Sequence, residues 1–113
     1  MTPGDVVLVR FPFADLAAAK KRPALLLAQT ARAPRHYLAT VAMITSQIES
    51  LSLPGDVRLG DWKPAGLLHP SVLRLAKVAT IDGELVEKAL GRLSRGDLSA
   101  ARAAFKRVFA AWT

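Results

Sequence analysis

Cysteine is absent from the 113-residue chain, which excludes disulfides and every metal site built on thiolates. Histidine is nearly absent: His36 and His69 stand without a paired histidine, so neither a metal nor any other cofactor is expected. No apolar run approaches the ~20 residues that a membrane span needs. The opening MTPGDVVLV lacks the basic stretch and small-residue cleavage site of a secretion signal. The expectation is a cytoplasmic protein with no membrane partner. A Gly-rich phosphate loop, an HExxH helix and a GxSxG elbow are also missing. Repeats, low-complexity tracts and linkers are absent too, so residues 1–113 read as one domain.

What the chain has is positive charge and short strands. Sixteen Lys and Arg against nine Asp and Glu leave a net charge of +7, which suits a polyanionic partner or serves solubility alone. The β-branched and aromatic run 5–13, DVVLVRFPF, reads as a strand broken near Pro12. Residues 14–22 read as a loop. The apolar run 24–29 reads as a central strand covered on both faces. A basic turn at 30–36 precedes a third strand at 37–44. Shorter strands are expected near 57–59, 71–79 and 88–93, separated by turns. The end differs in kind. Leu98, Ala101, Phe105, Val108 and Trp112 recur at spacings of three and four, the pattern of an amphipathic helix capped by Ser94 or Asp97. These elements make a mainly β, small antiparallel barrel with a C-terminal helix packed outside.

Chemistry then has to come from arginine and hydroxyls. Arg22 stands in KKRPALLLAQ, residues 20–29, where three cations run through Pro23 into the apolar strand. Thr45, Ser46 and Gln47 follow the third strand, and adjacent antiparallel strands bring the start of one near the end of the next. Arg22 and Thr45 are therefore expected within reach of each other, with Arg74 on another strand. A guanidinium binds phosphate bidentately and keeps its charge. Such a pair suits cleavage of RNA by its own 2′-hydroxyl, which needs charge stabilisation and proton transfer but no metal. Guanidinium is a poor proton acceptor at neutral pH. From the residues alone, an anion site and a structural arginine both fit Arg22.

In order and spacing, GDVVLVRFPF, KKRPALLLA, ITSQ and SVLRLAKVATID resemble the MazF/PemK family of bacterial toxin endoribonucleases, from Gly4 through the terminal helix. The resemblance implies an SH3-like barrel of the CcdB/PemK kind and a homodimer. It also implies a toxin of a type II toxin–antitoxin pair, cutting single-stranded mRNA without metal to leave 2′,3′-cyclic phosphate and 5′-hydroxyl ends. The implied partners are single-stranded RNA and an antitoxin whose acidic tail covers the RNA site. The family's RPA arginine falls on Arg22, its T-[ST]-Q threonine on Thr45, and the second arginine of the PemK branch on Arg74. These are the expected catalytic residues, with Lys20, Lys21, Arg32, Ser46 and Gln47 along the RNA path. Two departures stand out. Ala76 occupies the place of a PemK-type aspartate, and the loop DLAAAKK lacks the family's longer polar run. Two alternatives follow: a CcdB-like, non-catalytic gyrase poison using Trp112, or a degenerate barrel that binds RNA or antitoxin.

Overall fold

The computed structural model describes residues 1–11, 20–33, 36–49 and 52–113, with the backbone only at 11, 32 and 33. Among these residues six strands form one antiparallel sheet: β1 (Asp5–Phe11), β2 (Lys20–Ala33), β3 (His36–Thr45), β4 (Asp56–Arg58), β5 (Val72–Asp82) and β6 (Val86–Arg92). Their order is β4-β5-β3-β2-β1-β6, and the helix α1 (Arg95–Val108) follows. The mainly β architecture with a C-terminal helix is as the sequence implied. The ladder itself stays open, ending at β4 and β6.

The curved sheet is completed by packing where no ladder joins its edges. The connector leaving β4 buries Ala65 and Leu67 and lies flat on β6. A Cβ at Gly66 would sit 2.2 Å from the Leu90 carbonyl oxygen, and one at Gly91 would sit 2.5 Å from that of Ala65. Gly66 also holds φ +86°, a backbone that disfavours any residue with a Cβ.

Strand alternation sorts the core into two layers. Val6, Leu25, Ala42, Ile44, Leu73 and Leu75 face the helix and meet Ala101 and Ala104. Val7, Val9, Ala24, Leu26, Ala39 and Val41 face the other way and meet Ile81. Both faces of β2 are therefore covered, as its continuous apolar run requires. The strand begins earlier than its apolar content suggests: Lys20, Lys21 and Arg22 pair with Phe11, Arg10 and Val9. The expectation of a loop through residue 22 is thus corrected. A neighbouring strand recruits three cations that propensity alone assigns to a turn.

Ser94 caps α1, its hydroxyl accepting from the Asp97 N–H at 3.2 Å. The Asp97 carboxylate in turn accepts from the Gly60 and Asp61 N–H groups at 3.2 and 2.9 Å. One buried side chain thus ties the helix start to the β4 connector. Leu98, Ala101 and Val108 pack inward as expected, joined by Ala104. Phe105 stays partly exposed against Phe109, with ring centroids 4.7 Å apart. Trp112 is 90% exposed, which overturns its reading as packing. The α-helix stops at Val108 and a 3-10 turn over Ala110–Trp112 carries the indole off the apolar stripe.

At the other end of the chain, Asp5 is clamped. The Thr2 N–H donates to its carboxylate at 2.9 Å and Arg92 Nη1 donates at the same distance. The Thr2 hydrogen bond holds the Asp5 carboxyl below its usual range, burial pushes it up, and Arg92 adds to the lowering.

Candidate functional site

The register of β2 builds the site. Arg22 lies opposite Val9 of β1, and the pairing with β3 starts at Ala24–Met43. Arg22 stands two residues before that first pair on β2 and Thr45 two residues beyond it on β3, so both lie at the same end of the two strands. Pro23 lacks an N–H and stands just before the first β3 pair, where it removes no rung of that ladder. Its fixed φ also narrows the directions from which Arg22 can leave the strand.

Alternation places Arg22 and Thr45 on the sheet face turned away from α1. Arg74 shares that face, because it pairs with Met43, two residues before Thr45, while Leu73 and Leu75 point to the helix layer. All three expected catalytic residues therefore lie on one surface. Arg74 stands one strand beyond Thr45, and strands are spaced by about 4.8 Å.

Their environments differ. Arg22 is exposed, and among the described residues nothing forms an ion pair or hydrogen bond with its guanidinium. Thr45 is half-buried, and its Oγ1 accepts from the Gln47 N–H at 3.1 Å. That bond orients the hydroxyl without using its hydrogen. Ser46 and Gln47 are exposed directly after it. Arg74 is buried, with 11% of its side chain exposed, and Nη2 lies 3.8 Å from Oδ2 of Asp56.

The two lysines part company. Lys20 alternates onto the Arg22 face and is exposed, whereas Lys21 projects from the opposite face with Nζ 3.1 Å from Oε2 of Glu87. The Arg32 side chain lies outside the described residues, as do residues 15–19 of the shortened loop. Ala76 is exposed in a bulge of β5, where the register jumps from Ala42–Val78 to Met43–Arg74. Trp62 packs partly buried against the helix-side core, with Lys63 Nζ 5.8 Å from its ring, so it covers that end of the sheet.

Two residues of this face were not expected as site residues from the sequence, where Arg58 reads as surface. Asp56 and Arg58 lie on the three-residue strand β4, opposite Arg74 and Val72. The turn at Pro54-Gly55 was legible, but which β5 residue each β4 side chain meets depends on a register that so short a strand does not encode. Exposed Arg58 falls in the same row as Val72 and Thr45. Among the described residues, Lys20, Arg22 and Arg58 are exposed cations of this face, and Arg74 and Asp56, whose side chains are largely buried, offset each other.

Comparison with known proteins agrees with this fold. The family model described as PemK-like, MazF-like toxin of type II toxin-antitoxin system matches residues 2–109. Among solved structures, the Mycobacterium tuberculosis toxin MazF-mt6 superposes with a TM-score of 0.69 at 23% identity, over 94% of this chain and 96% of that one. MazE-MazF from Deinococcus radiodurans gives 0.65 at 18%, over 96% and 94%. An endoribonuclease in complex with its cognate antitoxin from a mycobacterial species gives 0.66 at 15%, over 97% and 95%. At these identities the structures speak for the fold. No curated protein sequence matches the chain. Among the described residues no helix is long and apolar enough to cross a membrane. With the family model spanning nearly its whole length, the chain belongs to the PemK-like, MazF-like toxins of type II toxin–antitoxin systems.

Proposed function

We propose that this toxin is an endoribonuclease that cuts single-stranded mRNA without a metal, on the sheet face carrying Arg22 and Thr45. The observation that supports it best is the Arg22 guanidinium: exposed, unengaged among the described residues, and at the same end of the β2–β3 ladder as the Thr45 hydroxyl. A structural arginine would be tied to a carboxylate or carbonyl, as Arg92 is to Asp5.

In the proposed reaction the ribose 2′-oxygen attacks the adjacent phosphorus. The O2′–P bond forms, the P–O5′ bond breaks, and the products are a 2′,3′-cyclic phosphate and a 5′-hydroxyl. The 2′-hydroxyl gives up a proton and the departing 5′-oxygen takes one. Between these states the non-bridging oxygens carry extra negative charge. Arg22 meets that charge with two parallel N–H donors, which act most strongly where charge develops. Thr45, its Oγ1 steadied by the Gln47 N–H, donates its hydroxyl hydrogen to a phosphate oxygen and orients the group for in-line attack. Lys20 and Arg58 hold flanking phosphates, Ser46 and Gln47 border the path, and Arg74 assists from the neighbouring strand.

The implied partners fit the same picture. An acidic antitoxin segment would compete for the cations that hold RNA. A second copy would cover the apolar groove of about 500 Å3 between α1 and the sheet, lined by Leu25, Leu27, Leu98, Ala101, Phe105 and Phe109. Sedimentation of the free toxin at micromolar concentration reads that dimer directly.

The test of activity is incubation of the purified protein with mixed RNA in EDTA, followed by mapping of both new ends. Cyclic phosphates and 5′-hydroxyls that disappear in Arg22→Ala support the reading, and intact RNA sinks it. One observation favours a second reading, a CcdB-like gyrase poison: Trp112 is 90% exposed near the C-terminus. Intact RNA together with trapped gyrase–DNA complexes, lost on Trp112→Ala, would select it.

A further inference from the structure

We infer that Asp56 is a positioning residue of this site, whose buried carboxylate sets the direction of the Arg74 guanidinium. The inference rests on the nuclease reading above.

Asp56 and Arg74 face each other across β4 and β5 as a direct register pair, on the surface that also carries Arg22 and Thr45. Their side chains are 12% and 11% exposed, and Oδ2 lies 3.8 Å from Nη2. Oδ2 also accepts from the Leu53 N–H at 2.9 Å, which fixes the carboxylate to the turn ahead of β4. Oδ1 is buried and has no hydrogen-bond partner among the described residues.

For stability alone this is a poor arrangement. The Asp56 carboxylate is desolvated 3.8 Å from its cation, and its Oδ1 is left unmet among the described residues; an apolar pair of similar volume would hold the strands at least as well. The arrangement makes sense if the guanidinium has to be aimed. An arginine in this row can leave β5 toward Met43 and Thr45 or toward β4, and the fixed anion on β4 decides between them. The β4–β5 register strengthens the point. The Leu75 N–H donates to the Gly55 carbonyl at 3.3 Å on one side of the Asp56–Arg74 pair, and Val57 pairs with Leu73 on the other, so the residues flanking Asp56 and Arg74 are tied together on both sides. With the Asp56 carboxylate fixed beside Nη2, the guanidinium keeps a constant direction relative to the phosphate position beside Thr45.

A mutant cycle on single-turnover RNA cleavage tests this. Asp56→Asn keeps an acceptor for the Leu53 N–H and removes only the charge. It should lower kcat about 10- to 100-fold, the range for misplacing a working group by an ångström or less, with little change in KM. Asp56→Glu should recover part of the loss. In an Arg74→Ala background Asp56→Asn should cost nothing more, because Asp56 acts through Arg74. If Arg74→Ala does not fold, Arg74→Lys takes its place in the cycle, since it keeps the charge and loses the planar fork. Equal losses from Asp56→Asn in both backgrounds, full activity in Asp56→Asn, or a loss in KM alone would overturn the assignment while leaving the nuclease reading intact. Intact RNA with the unmutated toxin would overturn both.

Discussion

The placement of the two lysines makes a prediction that separates the structure from the sequence pattern. In the sequence, Lys20, Lys21 and Arg22 are three equivalent cations; in the fold, Lys21 is on the far face and bound to Glu87. Binding to single-stranded RNA loses affinity with salt by ~0.7 log units per log unit of salt for each phosphate neutralised. Four contacts, with the adjacent lysines counted alike, would give a slope near −3. The three exposed cations on the Arg22 face, Lys20, Arg22 and Arg58, give about −2 instead, or roughly a 20-fold loss of affinity between 50 and 200 mM salt. Arg22→Ala should flatten the slope to about −1.4, cutting that loss to about 7-fold. Lys21→Ala should leave the slope where it was. Fluorescence anisotropy on a labelled 2′-O-methyl RNA measures this without cleavage, since the attacking hydroxyl is blocked. A Lys21→Ala slope as shallow as that of Arg22→Ala would refute the assignment of the RNA path to one face.

Two further outcomes follow from the fold. Asp97→Ala removes two charge-assisted hydrogen bonds to the Gly60 and Asp61 N–H groups, which should cost about 3 kcal/mol and lower the thermal midpoint by roughly 10–20 °C, read by circular dichroism; a shift under about 3 °C would contradict the tie between α1 and the β4 connector. The lowered Asp5 carboxyl contributes stability that is present above the ordinary carboxylate range and lost as pH falls through its depressed folded value. Asp5→Asn should therefore reduce stability at pH 7 and flatten the decline on the acid side, as thermal midpoints between pH 7 and pH 2 would register; a mutant with an unchanged acid-side slope would remove Asp5 from the account.

Much of this was legible from composition and pattern, and the exceptions have physical reasons. The apolar run of β2 announced a strand buried on both faces, and the three-and-four spacing announced α1, because both signals are local periodicities. The start of β2 was not legible: Lys20 and Lys21 are strand residues only because β1 offers them partners. The end of the helix was misread for a related reason. Trp112 continues the apolar period in sequence, but the chain leaves the α-helix after Val108. Within the site, Arg22 and Thr45 could be expected at one end of the sheet in advance because antiparallel neighbours exchange ends. The surroundings of Arg74 could not, since they depend on a three-residue strand and a bulge that shifts register between Ala42 and Met43. Burial of Arg74 against Asp56 is a tertiary fact with no local signature.

In the proposed reaction Arg22 and Thr45 meet the scissile phosphate with Arg74 assisting, and the single-turnover cleavage rate of a defined RNA in EDTA tests this most directly. Removing an oriented donor to a developing oxyanion typically costs ~10²–10³ in rate. Arg22→Ala should therefore lose at least ~100-fold in kcat, and Thr45→Val should lose a similar factor, with both proteins folded and still binding 2′-O-methyl RNA. Cleavage by Arg22→Ala at the rate of the unmutated toxin, with the same cyclic-phosphate ends, would contradict the account at its core.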